Sequence, residues 1–202
     1  VIGHSININK LYNYVGINPQ NGAYNFYDFN NDGQITSIDD RQFLVDLNPK
    51  FFGGIQNDIR YKNLQVDFLF QFVKQQTFAY LPAVPGSFTN QLGSLDNFWQ
   101  SADVPADYQK LTTGTNSVLN TAYTRFKTSD AALEDASFIR LKSISLSYDI
   151  PGSFSKNIKS RIYFQGQNLL TFSPYKGGDP EFKLAGYLPP LKTYTVGIQL
   201  TF

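Results

Sequence analysis

The stretch TYTVGIQLTF runs from Thr193 to Phe202 and carries a large apolar side chain at every second position. These positions are Tyr194, Val196, Ile198, Leu200 and Phe202. A β-strand turns successive side chains to opposite faces, so this alternation predicts a strand with one apolar and one polar face.

Four earlier segments repeat the pattern, at residues 51–61, 64–75, 138–148 and 160–172. Their apolar positions are Ile55, Ile59, Tyr61, Leu64, Val66, Phe68, Phe70, Phe72, Ile144, Leu146, Tyr148, Ile162, Phe164 and Leu170. Strands of roughly ten residues suit a tilted membrane crossing, whereas strands of soluble sheets average about five or six. The pattern predicts an all-β fold and favours about five antiparallel strands of a transmembrane β-barrel.

The alternation alone leaves two interpretations open. A soluble half-buried sheet has the same period, and the alternative is a secreted, calcium-stabilised β-sandwich module that binds carbohydrate. In that case Phe68, Phe70 and Phe72 would line a sandwich core. The polar positions are mostly uncharged and aromatic residues often lie near strand ends, which favours the barrel.

The composition narrows the functional classes. The chain has 202 residues, no Cys, no Met and a formal net charge of +1. Without Cys it can form neither a disulfide nor a thiolate metal site, and the balanced charge argues against a nucleic-acid partner. No apolar run reaches the roughly 20 residues of a membrane helix. Since Val1 is not a translation start, we expect these residues to come from a processed or longer polypeptide.

The connections alternate in length. Lys62 and Asn63 form a two-residue turn, and residues 149–159 form a short connection, whereas residues 76–137 and 173–191 form long ones. Outer-membrane barrels have short periplasmic turns and long external loops. We therefore expect 76–137 and 173–191 to be extracellular loops of a barrel region at 51–202, preceded by an extracellular segment at 1–50.

The most specific local motif is DFNNDGQITSID, from Asp28 to Asp39, which matches the calcium loop of an EF-hand except that Asp39 replaces the usual Glu. Calcium takes roughly six to eight oxygen ligands. The predicted ligands are Asp28, Asn30, Asp32, the backbone carbonyl of Gln34, Thr36 and Asp39. A metal-free turn rich in Asp and Asn is the alternative. We expect a structural Ca²⁺ ion, with a short helix starting at Asp39 or Asp40.

No catalytic constellation is apparent. The sequence has one His, His4, and lacks the nucleophile, phosphate-binding and zinc patterns. Asp130, Glu134 and Asp135 are close in sequence, but a solvated loop explains them better than a glycosidase pair. We therefore predict no enzymatic activity. The only Trp, Trp99, is a candidate for contact with substrate or a lid, or for packing within its own loop.

Several stretches together resemble the C-terminal part of SusC/RagA-like TonB-dependent outer-membrane transporters. In chain order they are YDFNNDGQITSIDD, NPKFFGGIQNDIRYKNLQVDFLFQF, DASFIRLKSISLSYDIP, RIYFQGQNLLTFSPYKGGDPE and TYTVGIQLTF. The resemblance runs over most of the chain. It includes the acidic loop at 28–39, which matches a calcium-type loop on the extracellular side in this family.

The resemblance implies a barrel of about 22 strands with an N-terminal plug, in the outer membrane of a Gram-negative cell. It implies a SusD-like surface lipoprotein and TonB as partners, and import of oligosaccharides or peptides. This chain has about five strands and neither plug nor TonB box, so it needs the remainder of the parent barrel and the lipid bilayer. The alternating residues up to Phe202 also resemble the signal recognised by the outer-membrane β-barrel assembly machinery. This second resemblance implies that the chain is either a fragment of the transporter or a folding client of that machinery.

Overall fold

The computed structural model describes residues 2–81, 83–89, 96–151, 158–183 and 187–202. The chain divides into two compact units. Unit 1 contains Val1–Asn48 and Thr77–Glu134, and unit 2 contains Pro49–Gln76 and Asp135–Phe202. The first boundary, between Asn48 and Pro49, lies near the one predicted at residue 50, whereas residues 77–134, predicted within the barrel region, belong to unit 1.

The described residues are mostly β-structure. The strands are β1 (Ile8–Leu11), β2 (Tyr14–Ile17), β3 (Tyr24–Phe26), β4 (Phe43–Asp46), β5 (Phe51–Tyr61), β6 (Leu64–Lys74), β7 (Gln76–Phe78), β8 (Leu133–Asp135), β9 (Phe138–Ile150), β10 (Lys159–Phe172) and β11 (Thr193–Thr201). The helices are α1 (Ser117–Phe126) and a 3₁₀ turn (Asp130–Ala132). None of the helices in the described ranges is long and apolar enough to cross a membrane.

Unit 2 is a five-stranded antiparallel sheet with the order β11-β10-β9-β6-β5. Its strands coincide with the five predicted ones to within about two residues, a usual uncertainty of strand ends. The predicted two-residue turn is confirmed, since Tyr61 pairs with Leu64 and Lys62 has a positive φ of 51°. The Asn63 side chain donates to the Asp149 carbonyl at 2.9 Å, which ties the turn to β9. Most of the predicted short connection lies outside the described residues.

The register places the apolar positions of all five strands on one face. Phe68 of β6 pairs with Ile144 of β9, and Phe164 of β10 lies between Leu146 of β9 and Val196 of β11. The β6–β9 and β9–β10 registers shift at Leu69/Phe70 and between Gln167 and Leu170. These irregularities act as β-bulges, which keep the apolar residues beyond them on the same face.

Unit 1 has a small aromatic core. Its buried residues are Tyr12, Ala23, Tyr24, Phe26, Leu119, Ala122 and Tyr123. The rings of Tyr24 and Phe126 stack at 4.1 Å between centroids. Burial raises the pKa of Tyr24 and raises that of Tyr123 to about 12. The hydroxyls therefore stay protonated, as expected for phenols taken out of water.

Two features of unit 1 differ from the sequence-based predictions. The helix expected after Asp39 or Asp40 is wrong, because the chain makes a turn there and then forms β4. Phe43 to Asp46 pair with β1 instead, and these strand hydrogen bonds outweigh the weak local preference for helix. Residues 76–137, predicted as one long loop, contain β7, α1 and β8.

Helix α1 forms because its start is capped and one face is apolar. Asn116 has an extended backbone, and its side-chain oxygen accepts a hydrogen bond from the Leu119 amide at 3.2 Å. Leu119, Ala122 and Tyr123 have the three- and four-residue spacing of one helix face and are buried.

Replacing this cap tests how far it stabilises α1. We expect Asn116→Ala to lower the opening free energy of α1 by about 1 kcal/mol, because the Leu119 amide loses its acceptor. Hydrogen exchange of the α1 amides measures this change. Ser117→Ala, one residue further on, is the matched control and should have little effect. Equal exchange in both variants would show that Asn116 does not cap the helix.

Candidate functional site

The sheet of unit 2 presents an apolar face that the described residues leave largely uncovered. On the edge strand β11, Val196 is 73% exposed and Ile198 is 68% exposed. The same face includes Ile55 and Ile162, which are also exposed, whereas Leu141 near one end is buried. The aromatic cluster of unit 1 contains none of these residues. An exposed apolar surface of this extent marks an interaction with a partner or a membrane.

The opposite face is hydrophilic and internally hydrogen-bonded. Gln65 donates to Asp58 at 2.7 Å and accepts from Arg60 at 3.1 Å. Near the same end, Arg161 makes a two-bond ion pair with Asp149 at 2.6 and 3.1 Å. These side chains lie on strands whose other face is apolar, so the sheet has one apolar and one hydrophilic face.

At the end of the sheet away from the Lys62–Asn63 turn, a buried ion cluster holds residues 173–183, which we call the strap. Arg140 of β9 is 1% exposed, and it donates to Glu181 at 2.6 Å and to Asp179 at 2.5 Å. It also donates to Thr171 of β10 at 2.9 Å. Lys142 adds two bonds to Glu181, at 3.1 and 3.0 Å. The cluster balances two positive with two negative charges, as burial of ions requires.

Uncharged contacts hold the strap further across the sheet. Gln75, which follows β6 and is buried, donates to the carbonyl oxygens of Pro180 at 2.8 Å and Ala136 at 3.2 Å. The Ser173 hydroxyl donates to the Ser137 carbonyl at 2.8 Å. The sequence analysis missed this cluster. The sequence does show two basic residues in β9 and two acidic residues in the GGDPE stretch. No local pattern links these two segments, because they are far apart in the chain.

A second ion pair lies beside this end. Lys74 donates to Asp135 at 2.7 Å, and this hydrogen bond, with those from Ser137, holds the pKa of the Asp135 carboxyl at about 2. Both side chains are 42% exposed, so the pair contributes little to stability. Asp130 accepts from the Tyr14 amide at 2.8 Å. These two carboxylates, weighed above as catalytic groups, therefore have structural contacts.

The acidic loop at 28–39 is closed by its own hydrogen bonds. Asp28 accepts from the Gly33 amide at 2.8 Å, and Gly33 has a positive φ of 80°. Asp32 accepts from Gln34 at 2.7 Å and from Asn30 at 2.9 Å. The Asp39 carboxylate accepts from the Thr36 hydroxyl at 2.9 Å, so five of the six predicted ligand residues interact within the loop through side chains.

The structure offers one observation for a cation here and one against it. The second carboxylate oxygen of Asp28 is buried without a hydrogen-bond partner, as a ligand atom lacking its ion would be. In the described part of the chain, however, no three His, Cys, Asp or Glu side chains are arranged to hold a metal. The loop therefore fits a cation only with amide, hydroxyl or backbone oxygens among its ligands, which calcium accepts.

Asp40 is a structural residue of this loop that the ligand prediction left out. Its carboxylate is fully buried and accepts from the amides of Phe29 at 2.8 Å and Thr36 at 2.6 Å. One carboxylate thus joins the two sides of the loop. From the sequence, Asp40 is predicted only to cap a helix. The chain forms a turn at this position.

Trp99 packs against the backbone of Gly22. A side-chain carbon added at Gly22 would lie 2.5 Å from the Trp99 ring, and Gly22 has a positive φ of 73°. The Lys110 ammonium lies 5.5 Å from the ring centroid, a cation–π distance. Trp99 therefore has a packing role in unit 1, while its ring stays partly exposed.

Fold and site together define a mostly-β protein with a two-faced antiparallel sheet. No family model matches the chain. Two TonB-dependent receptors of Formosa agariphila, P3 and P26, are each 29% identical to it over 90% of its length. The solved RagAB peptide importer matches with a TM-score of 0.73 at 26% identity in its open-open state, and 0.69 at 25% in its closed-closed state, over 95% of the chain.

These relatives confirm the predicted resemblance: the chain is similar to TonB-dependent receptors and to the RagA-type transporter. The chain spans only 19% and 20% of the two receptors and 22% of each solved chain. The likeness therefore covers a part of those proteins.

The packing of Trp99 can be tested with its own fluorescence, because it is the only Trp in the chain. We expect Gly22→Ala to displace the ring and shift its emission to longer wavelength, since the added carbon overlaps the ring. Gly114→Ala is the matched control: Gly114 also has a positive φ, of 96°, but its nearest neighbour would be 4.0 Å away. An unchanged spectrum in Gly22→Ala would show that Trp99 does not depend on this contact.

Proposed function

We propose that this chain supplies five β-strands to the barrel of an outer-membrane, TonB-dependent importer of the SusC/RagA type in a Gram-negative cell. The observation that carries the proposal is the sheet of unit 2, with its exposed apolar face opposite a hydrophilic one. The similarity to TonB-dependent receptors and to the RagAB importer supports it. In this function the apolar face contacts lipid and the polar face lines the interior.

The secreted β-sandwich alternative has less support. A sandwich buries one face of each sheet against the other sheet. Among the described residues the remaining sheets have two short strands each, and the five-stranded sheet keeps its apolar face exposed. A partner sheet would have to come from outside the described residues.

Import requires partners that this chain does not itself supply. The proposed partners are the remainder of the parent barrel with its plug, a SusD-like surface lipoprotein and TonB. The family resemblance supports this set of partners. The cargo is proposed to be peptides or oligosaccharides, and one solved relative is a peptide importer. The partly exposed ring of Trp99 is a candidate contact for cargo or for the lid. We propose no enzymatic activity for this chain.

We also propose that β11 carries the assembly signal. It is an edge strand of the sheet, and its apolar side chains Tyr194, Val196, Ile198 and Leu200 are all more than half exposed. An edge strand of this kind can pair through its backbone with an open strand of the assembly machinery while alternate side chains fill pockets.

Lipid contact is tested by spin labels on adjacent residues of β11. The chain has no Cys, so Val196→Cys and Thr195→Cys can be labelled singly in a full-length protein free of other cysteines. We expect lipid-soluble oxygen to relax the label at residue 196 and a water-soluble quencher to relax the label at residue 195, because alternate side chains face opposite sides. Equal quenching of both labels from water would overturn the membrane proposal.

For the acidic loop we propose a structural Ca²⁺ ion. Asp28, Asn30, Asp32, Gln34, Thr36 and Asp39 would hold it. The support is the motif, the unpartnered oxygen of Asp28 and the positive φ of Gly33. A bound ion would neutralise the loop carboxylates and hold the segment in one conformation.

Melting of the full-length protein in detergent, with calcium or with a chelator, tests the ion. We expect calcium to raise the melting temperature of the wild type and Asp32→Asn to remove the increase, because a ligand charge is lost. Asp46→Asn is the matched control, since Asp46 accepts from the Asn48 amide at 2.9 Å in a similar turn outside the loop. A wild type that melts identically with and without chelator would exclude the site.

A further inference from the structure

The strap takes an indirect path between its two strands. It leaves the end of β10 and the chain then continues to β11, which lies on one side of β10 in the sheet. Its anchors, however, lie on the other side: Arg140 belongs to β9, and Gln75 follows β6. The segment therefore folds back over two neighbouring strands before the chain reaches β11.

The register shows which face the strap covers. Leu141 and Ile139 pair with Phe70 and Phe72 on the apolar face. Arg140, between them, points to the opposite face, where it binds Thr171 of the adjacent strand at 2.9 Å. Because Asp179 and Glu181 reach Arg140, the strap lies over the polar face, at the end of the sheet away from the Lys62–Asn63 turn.

The attachment combines an ion cluster with the burial of strap side chains. Within the strap, Lys176 and Phe182 are exposed, while Tyr175, Asp179 and Pro180 are buried. Arg140 joins both strap carboxylates, and no water-exposed surface of its side chain remains to compensate for losing them. Removing one partner of a buried ion pair leaves the other charged and unsolvated, which is strongly unfavourable.

We propose that the strap is a fixed constriction on the polar face, latched by Arg140, and that this latch sets the width of the passage at the loop end of the barrel. Arg140 acts as a positioning residue, because its side chain is buried and its hydrogen bonds go to the strap and to Thr171. The planar guanidinium suits the task, since its fork can bind both carboxylates at once. The role of the strap in a passage rests on the proposed function, whereas the latch between Arg140 and the strap does not.

Limited trypsin digestion of the full-length protein in detergent tests the latch at the Lys176–Gly177 bond. We expect Arg140→Gln to speed cleavage there by at least about tenfold, because cleavage follows the population of the released strap. Arg161→Gln is the matched control, since this exposed Arg pairs with Asp149 near the opposite end of the sheet. Arg140→Lys should fall between wild type and Arg140→Gln, because an ammonium cannot form the fork.

Single-channel conductance in planar bilayers tests the constriction, with the plug removed from the parent protein so that the barrel can conduct. We expect a larger conductance for Arg140→Gln than for wild type or Arg161→Gln. Equal cleavage rates in all variants would overturn the latch, and faster cleavage with unchanged conductance would overturn the constriction. If Arg140→Gln does not assemble, Asp179→Asn and Glu181→Gln make the same comparison. Absence of lipid contact at residue 196 in the spin-label experiment would instead count against the proposed function, while cleavage still decides the latch.

Discussion

Each long strand of the sheet has to satisfy its backbone hydrogen bonds and also place two chemically different faces in suitable surroundings. Strands β6, β9 and β10 have a neighbour on both sides, whereas β5 and β11 have one on a single side. In hydrocarbon each unpaired backbone group costs several kcal/mol, so open edges are not tolerated there. A sheet with this apolar face is therefore stable in lipid only when further strands pair with both edges. This requirement agrees with relatives that are about five times as long as the chain.

Keeping one face apolar over strands of 11 to 14 residues requires more than alternation. Without the irregularity beside Lys142, Leu141 and Ile139 would turn to the polar face, because a shift of one residue reverses every side chain. The same irregularity directs Arg140 to the polar face, where it meets the strap. One local break in the ladder therefore serves both the apolar face and the ion cluster.

The sequence predicts the long strands well because each one carries its own signal, a period of two over ten or so residues. Unit 1 is less predictable, because its strands have three or four residues and its contacts connect distant segments. The Tyr12 amide binds the Thr128 carbonyl, and β4 pairs with β1 across more than thirty residues. The loop at 28–39 is recognisable from its motif, whereas the carboxylate of Asp40 gains its role only through folding. Arg140 and its carboxylates are 39 and 41 residues apart, so no window of local sequence relates them.

The two ends of the sheet are held by different means, and the difference bears on what each end does. At one end a two-residue turn closes the β5–β6 hairpin, and the Asn63 side chain joins this turn to the Asp149 carbonyl of β9. At the other end a buried arginine holds a segment that an apolar contact would stabilise at lower desolvation cost. Buried ionic groups are retained in several proteins where they specify one arrangement among alternatives. We propose this role for Arg140, because its guanidinium binds both Asp179 and Glu181 of the strap in addition to Thr171. The charged end of the sheet is thus specified in conformation, which is what a passage of defined width requires.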